Sequence, residues 1–178
     1  MSLIFQNNTI DVILNAYKGD LGIYYEPYRN HVYRVFNFCL CSDITSQNEI
    51  QKLAIASAFH DIGIWTNSTF DYLKPSIKLA RDYCIENNLN IDFQDDIDSI
   101  IENHHKMSAV KNRYLSENFR EADLIDLSLG IVKKGRNKIM VNQIRKKFPN
   151  KGFHVFLLKI FFKNLVTNPL HPFPIFKL

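Results

Sequence analysis

The 178-residue chain reads as an all-α protein, a single domain built as a helical bundle of five core helices with additional C-terminal helices. Three observations predict this. Apolar residues recur at three- and four-residue spacing along most of the chain. The periodic stretches open on capping residues or prolines and close on Gly or Asn, and no stretch alternates as a strand does. A chain this long can bury a substantial core.

Taken in order, Asn8 or Thr9 is placed to cap a first helix that runs through Tyr17 and is ended by Gly19 and Gly22. Glu26-Pro27 opens a second, with Val32, Val35, Phe36, Cys39 and Leu40 on its apolar face. Ser46 and Glu49 have the spacing of a capping box before a third helix, which carries Leu53, Ala54 and Ser57 and ends at His60-Asp61-Ile62-Gly63. Pro75 is expected to start a fourth, closed by Asn87-Asn88. Asp95 and Asp96 suit the first turn of a fifth, whose stripe is Ile97, Ile100, Ile101, His104 and His105. A sixth is predicted from about Glu117 to Leu129, a seventh around Ile139, Val141 and Ile144, and an eighth from Phe153 to Val166. The segment NPLHPFPIFKL, with three of the six prolines, is expected to lie extended against the body.

Composition narrows the class further. Apolar residues make up 46% and charged residues 22%, which excludes a disordered or low-complexity chain. The greasiest run, GFHVFLLKIFF, is broken by Lys159 well short of the roughly 20 residues a membrane span needs. With no signal-peptide pattern at Met1 and three cysteines in no C-x-x-C arrangement, a cytoplasmic location with reduced thiols is expected. Charge is unevenly spread: residues 1–126 hold 11 Lys+Arg against 18 Asp+Glu, whereas residues 127–178 hold 11 Lys+Arg and no acid. A basic extension from about residue 131 can attract phosphorylated molecules or nucleic acid, but it lacks a nucleic-acid motif, so a solvated face balancing the acidic remainder is the favoured reading.

The histidines carry the chemistry. His31, His60, His104 and His105 fall on the predicted buried faces of three helices, joined by Asp61 and by Asp123 on the sixth. Buried imidazoles need partners, and several converging with carboxylates form a ligand set that first-row divalent metals accept. The order His31, then His60-Asp61 within AIASAFHDIGIWT, then Asp123 within FREADLIDLSLG, resembles the HD superfamily of metal-dependent phosphohydrolases over roughly residues 31–130. The resemblance implies an all-α bundle, a metal core at about residues 23–130, and His31, His60, Asp61 and Asp123 as ligands of one divalent metal; two imidazoles and two carboxylates suit Mn, Fe, Co, Ni or Zn. Asp126, one turn after Asp123, is the alternative to it.

Dinuclear members of the superfamily add two separated histidines. Here His104 and His105 are adjacent, and neighbours on a helix diverge by about 100°, so one metal is expected, with one of this pair acting as an outer ligand, contacting phosphate or protonating the leaving group. The substrate expected is a small phosphorylated metabolite or nucleotide. The residues that follow His-Asp in cyclic-dinucleotide phosphodiesterases and in alarmone hydrolases are missing. Arg34, Lys74, Lys78, Lys106 and Arg113 are candidates to hold its phosphate, Arg34 foremost because it lies one turn after His31. Trp65, Tyr72 and Ser76 are candidates for a substrate wall. Asp61 is the candidate proton acceptor from an attacking water. Two rivals stand beside this reading. One is an HD-fold di-iron oxygenase, for which Tyr24, Tyr25 and Glu26 precede His31. The other is a non-catalytic module that uses the metal structurally and its basic third for binding.

Overall fold

The computed structural model describes residues 3–42, 44 and 46–168, and no β-strand occurs among them. Helix α1 (Asn8–Ala16) is capped by Asn7, whose side chain accepts the Ile10 N–H, one residue before the expected cap. Where Gly19 and Gly22 were expected only to end that helix, the chain makes a short α2 (Lys18–Leu21) and a 3-10 turn (Gly22–Tyr24), with Gly22 at φ +51° redirecting the backbone into α3 (Tyr25–Leu40).

Helix α3 is the axis of the molecule: from Pro27 to Leu40 every residue except Arg29 is buried. Helix α4 (Gln47–Phe59) is buried on all sides from Leu53 onward, the mark of a helix enclosed by others. Around this pair stand α6 (Leu73–Glu86), α7 (Ile91–Asn103) and α8 (Tyr114–Leu127), with α8 packed on α3, α7 on α4 and α6 on α7, while α1 covers the outer side of α4. These five, α3, α4, α6, α7 and α8, form the bundle.

Several predicted boundaries shift. Ser46 stands at the start of α4 but its side chain makes no capping bond. Pro75 is the third residue of α6 rather than the first. Helix α7 begins at Ile91 under an Asn90 cap, so Asp95 and Asp96 lie in its second turn and Asp92 takes the first. Beyond the His-Asp pair a one-turn α5 (Gly63–Thr66) continues the chain.

The C-terminal helices α9 (Lys138–Lys147) and α10 (Phe153–Thr167) lie on α3. Val141, Ile144 and Phe148 anchor α9, and Phe153 anchors α10 by stacking on His31 with ring centroids 4.2 Å apart. Part of the basic charge pairs with the acidic two thirds, through Arg136 with Glu121, Arg145 with Asp126, and Lys151 with Glu26. No helix among the described residues is long and apolar enough to cross a membrane. The expected packing of residues 169–178 falls outside the described residues.

Gly63 shows how tightly α5 is fitted. A Cβ at this position would stand 2.6 Å from the Tyr72 carbonyl oxygen and 3.0 Å from Pro75 Cβ and Ser76 Oγ. Since the nearest obstacle is backbone, Gly63→Ala is expected to destabilise the protein by about 1–3 kcal/mol, read as a fall in the urea midpoint at unchanged slope.

Candidate metal centre

Helix α4 ends so as to present two adjacent side chains to one point. His60 is its last turn, with its N–H bonded to the Ala56 carbonyl, and the chain then tightens through Asp61 and Ile62 into α5. Tyr28 of α3 pins this turn: its hydroxyl donates to the Ala58 carbonyl at 3.0 Å and accepts the Asp61 N–H at 3.3 Å. Two residues on, Ser76 pins Gly63 by accepting its N–H at 3.0 Å.

Three elements bring the remaining groups to His60 and Asp61. From α3, His31 Nε2 lies 2.9 Å from His60 Nε2 and 3.5 Å from Asp61 Oδ2; from α8, Asp123 Oδ1 lies 3.6 Å from His31 Nε2. From the end of α7, His104 Nε2 lies 3.4 Å from Asp61 Oδ1, and His105 Nδ1 lies 3.6 Å from Asp123 Oδ2. All are buried or nearly so.

The hydrogen bonds around these rings fix their protonation. His60 Nδ1 faces the Ser57 carbonyl at 2.8 Å and His104 Nδ1 faces the Ile101 carbonyl at 2.6 Å. A carbonyl oxygen only accepts, so each Nδ1 carries the proton and each Nε2 turns a lone pair inward. His31 Nδ1 likewise donates to Asp126 Oδ2 at 2.7 Å. The interior is therefore a set of acceptors: Asp61 Oδ1, His104 Nε2 and both Asp123 oxygens have no hydrogen-bond partner. Such a set needs a cation. Ligand atoms about 2.1 Å from one metal stand about 3.0 Å apart in octahedral and about 3.4 Å apart in tetrahedral arrangement, which matches the 2.9–3.6 Å found here. Among the described residues, two groups could hold a metal ion, His31 with His60 and Asp61, and Asp61 with His104 and His105.

Without a metal, protons take the cation's place. Burial opposes charge on His31, but its hydrogen bonds to Asp126 and Asp61 outweigh it and lift the pKa to about 9. Burial holds His60 down at about 3 and pushes Asp123 up to about 7. Asp126 keeps its charge against burial because the Arg34 guanidinium and His31 lie against it.

At two points the structure departs from what the sequence predicts. Arg34 is not a phosphate contact: it is fully buried, donates from Nε and Nη2 to the two Asp126 oxygens at 2.5 and 2.8 Å, and from Nη1 to the Phe148 carbonyl at 2.9 Å. His104 and His105 do not diverge: α7 stops at Asn103, the two follow in a turn, and their ring centroids are 3.9 Å apart.

Other candidates are dispersed. Ser76 is buried and occupied by Gly63, so it forms no substrate wall. Lys78 pairs with Asp82 and Arg113 with Asp96. Lys74 is exposed at the start of α6 and borders neither cavity. Tyr72 is buried with its hydroxyl 2.7 Å from His105 Nε2. Lys106 lines a cavity of about 130 Å³ together with His104, His105, Asp123, Met107 and Leu124. Trp65 instead packs on Tyr28 and borders a larger groove on another side. Of the residues that suggested an oxygenase, Glu26 pairs with Lys151, Tyr25 donates to Asn15, and Tyr24 packs on Phe156. His154, from the basic third, was not anticipated; its Nε2 meets the Asp126 carbonyl at 2.8 Å.

An all-α bundle with a buried His/Asp cluster that could hold a metal defines a class of protein. The particular family follows from comparison: residues 28–134 match the family model of the HD domain, and the chain belongs to that family. No curated protein and no solved structure matches the chain. The family is made up mostly of metal-dependent hydrolases, which agrees with the cluster.

Proposed function

We propose that the protein is a cytoplasmic, metal-dependent phosphohydrolase acting on a small phosphorylated metabolite or nucleotide, as a single domain over residues 1–178. The observation that carries this reading is the convergence of His31, His60, Asp61, Asp123 and His104, with Asp61 Oδ1, His104 Nε2 and both Asp123 oxygens buried and without a hydrogen-bond partner. His31, His60, Asp61 and Asp123 are the ligands proposed for one metal. Two imidazoles and two carboxylates suit Mn, Fe, Co, Ni or Zn better than Mg or Ca. A divalent ion there supplies Lewis acidity and lowers the pKa of a bound water.

The chain's own residues do the rest. Asp61 keeps one oxygen free of hydrogen bonds to accept the water's proton. Tyr72 and His105, joined at 2.7 Å, form a relay that delivers a proton to the leaving oxygen. Lys106, which lines the small cavity beside His104, His105 and Asp123, holds a phosphate oxygen. The test is metal content per chain after purification without chelator, paired with phosphate release from an aryl phosphate and a nucleotide panel. Bound metal with release supports the reading; metal without release from any of them overturns it.

One observation favours a second reading. His104 and His105 converge on Asp61 and offer a second metal position, as a di-iron oxygenase requires. Two irons per chain with no phosphate release would select it.

Metal uptake must displace protons. Among the four proposed ligands, His31, at about 9, and Asp123, at about 7, are the ones that hold a proton in the metal-free chain. Both lose a proton as pH rises, His31 becoming neutral and Asp123 a carboxylate, so metal affinity rises between about pH 6 and 9. Calorimetry in buffers of different ionisation enthalpy is expected to show about two protons released per first metal at pH 6 and about one at pH 8.

A further inference from the structure

Of the two concavities described above, the one of about 130 Å³ touches the metal centre, through His104, His105 and Asp123. Helix α8 forms part of its wall. Residues three and four apart share a helix face, so α8 turns Arg120, Asp123, Leu124 and Leu127 toward the cavity together. That face carries a proposed metal ligand and, one turn before it, a guanidinium.

Arg120 is only 6% exposed, and a buried charge needs partners. Glu117, one turn earlier, accepts its Nε at 2.8 Å and its Nη2 at 2.6 Å. The same carboxylate accepts the Val110 N–H at 2.8 Å, and Arg120 Nη1 reaches the Lys106 carbonyl at 3.4 Å. This pair therefore holds both ends of the segment from Lys106 to Val110, whose first two residues line the cavity. A guanidinium has five N–H donors. Glu117 takes two and the Lys106 carbonyl a third, at the long limit of hydrogen bonding. Two N–H groups on the Nη atoms are left without an acceptor among the described residues. Arg34, by contrast, borders neither cavity and gives its donors to Asp126 and a main-chain carbonyl.

A fixed fork with free donors, beside a half-buried lysine and next to a metal ligand, matches the oxygens of a phosphate group. Size narrows the match. Pockets for whole drug-sized molecules measure about 300–1,000 Å³, whereas about 130 Å³ encloses a phosphate group and little beyond it. Such a site takes a phosphate with one substituent leading out and leaves no room for a second.

We propose that Arg120, held by Glu117, forms with Lys106 a subsite for a terminal phosphate, which makes the substrate a phosphate monoester whose remainder lies outside the cavity. The assignment rests on the phosphohydrolase reading, and direct binding measurements separate the two.

Binding of inorganic phosphate, methyl phosphate and dimethyl phosphate to the full-length chain in added manganese is measured by calorimetry. The wild-type chain is expected to bind the first two and to bind dimethyl phosphate at least about 10-fold more weakly. Arg120→Gln is expected to weaken phosphate binding by about 10- to 100-fold, as the loss of charge-assisted hydrogen bonds implies. Metal content should not change, because the hydrogen bonds of Arg120 go to Glu117 and the Lys106 carbonyl and to none of the proposed ligands. Arg120→Lys keeps the charge without the fork, so its affinity should fall between the two, and it carries the test if Arg120→Gln does not fold. No phosphate binding by the wild-type chain, or equal affinity in wild type and variants, overturns the proposal. So does dimethyl phosphate binding as tightly as methyl phosphate, or loss of metal together with phosphate in the variants. Phosphate binding that depends on Arg120, with no phosphate released from any ester, keeps the subsite and removes the hydrolase reading.

Discussion

Asp61→Ala is expected to fold, to purify without metal, and to lose phosphate release by more than about 10³-fold. Asp61 is the one residue shared by both groups that could hold a metal, with Oδ2 toward His31 and His60 and Oδ1 toward His104. Its removal therefore empties either position. Folding survives because the turn is held by its backbone: the Asp61 N–H reaches the Tyr28 hydroxyl, and His31, which Asp61 Oδ2 faces at 3.5 Å, keeps its shorter bond to Asp126 at 2.7 Å. Losing one buried carboxylate from a set of acceptors even relieves the metal-free chain. Elemental analysis and phosphate release on the same preparation check the prediction, and turnover persisting in a metal-free Asp61→Ala would refute the hydrolase reading. His104→Ala separates the two positions, since it removes a ligand from the second group and leaves His31, His60, Asp61 and Asp123 in place.

Much of this cluster is legible in the sequence because helix periodicity is local. His31, His60, Asp123 and the apolar stripes beside them are fixed within a few residues of chain, so three- and four-residue spacing places them inward without knowledge of the fold. The five-helix bundle follows from the same signal. What periodicity does not reach is a helix end and a distant partner. His104 and His105 were assigned to diverging directions because the stripe of α7 was extended two residues past Asn103, where the helix stops. Arg34 was assigned to a phosphate because a charged side chain one turn from a ligand suggests a substrate. Its partners are Asp126, 92 residues away, and the Phe148 carbonyl, 114 residues away. Both separations exceed anything a local pattern encodes, and a main-chain carbonyl leaves no mark in the residue types. The basic last third was hidden in the same way: Phe153, His154 and Arg145 form the back of the centre, against His31 and Asp126.

That back wall makes Arg34 a positioning residue, and its loss the most damaging single change expected for stability. Arg34→Met removes three hydrogen bonds and leaves the Asp126 carboxylate, fully buried, with His31 and a longer contact to Arg145 at 3.3 Å. Breaking one side of a buried pair costs about 3–5 kcal/mol, so thermal unfolding of the metal-free protein should fall by roughly 10 °C. The pH dependence has a definite sign. Asp126 has a lowered pKa in the folded state, so it contributes stability above its unfolded value and loses it as the pH falls through the folded one. With Arg34 gone that contribution shrinks, and the gap between the variant and the wild-type chain is widest at neutral pH and narrows in acid. Arg34→Met combined with Asp126→Leu removes both charges and should recover most of the loss. It should not recover the metal: Asp126 fixes the His31 tautomer and ring direction, and loss of such an orienting carboxylate weakens metal binding by about 10- to 100-fold. Substrate KM at saturating metal is the discriminating readout. A residue acting through Asp126 and His31 leaves it unchanged, whereas a large rise in KM in Arg34→Met would return Arg34 to the substrate.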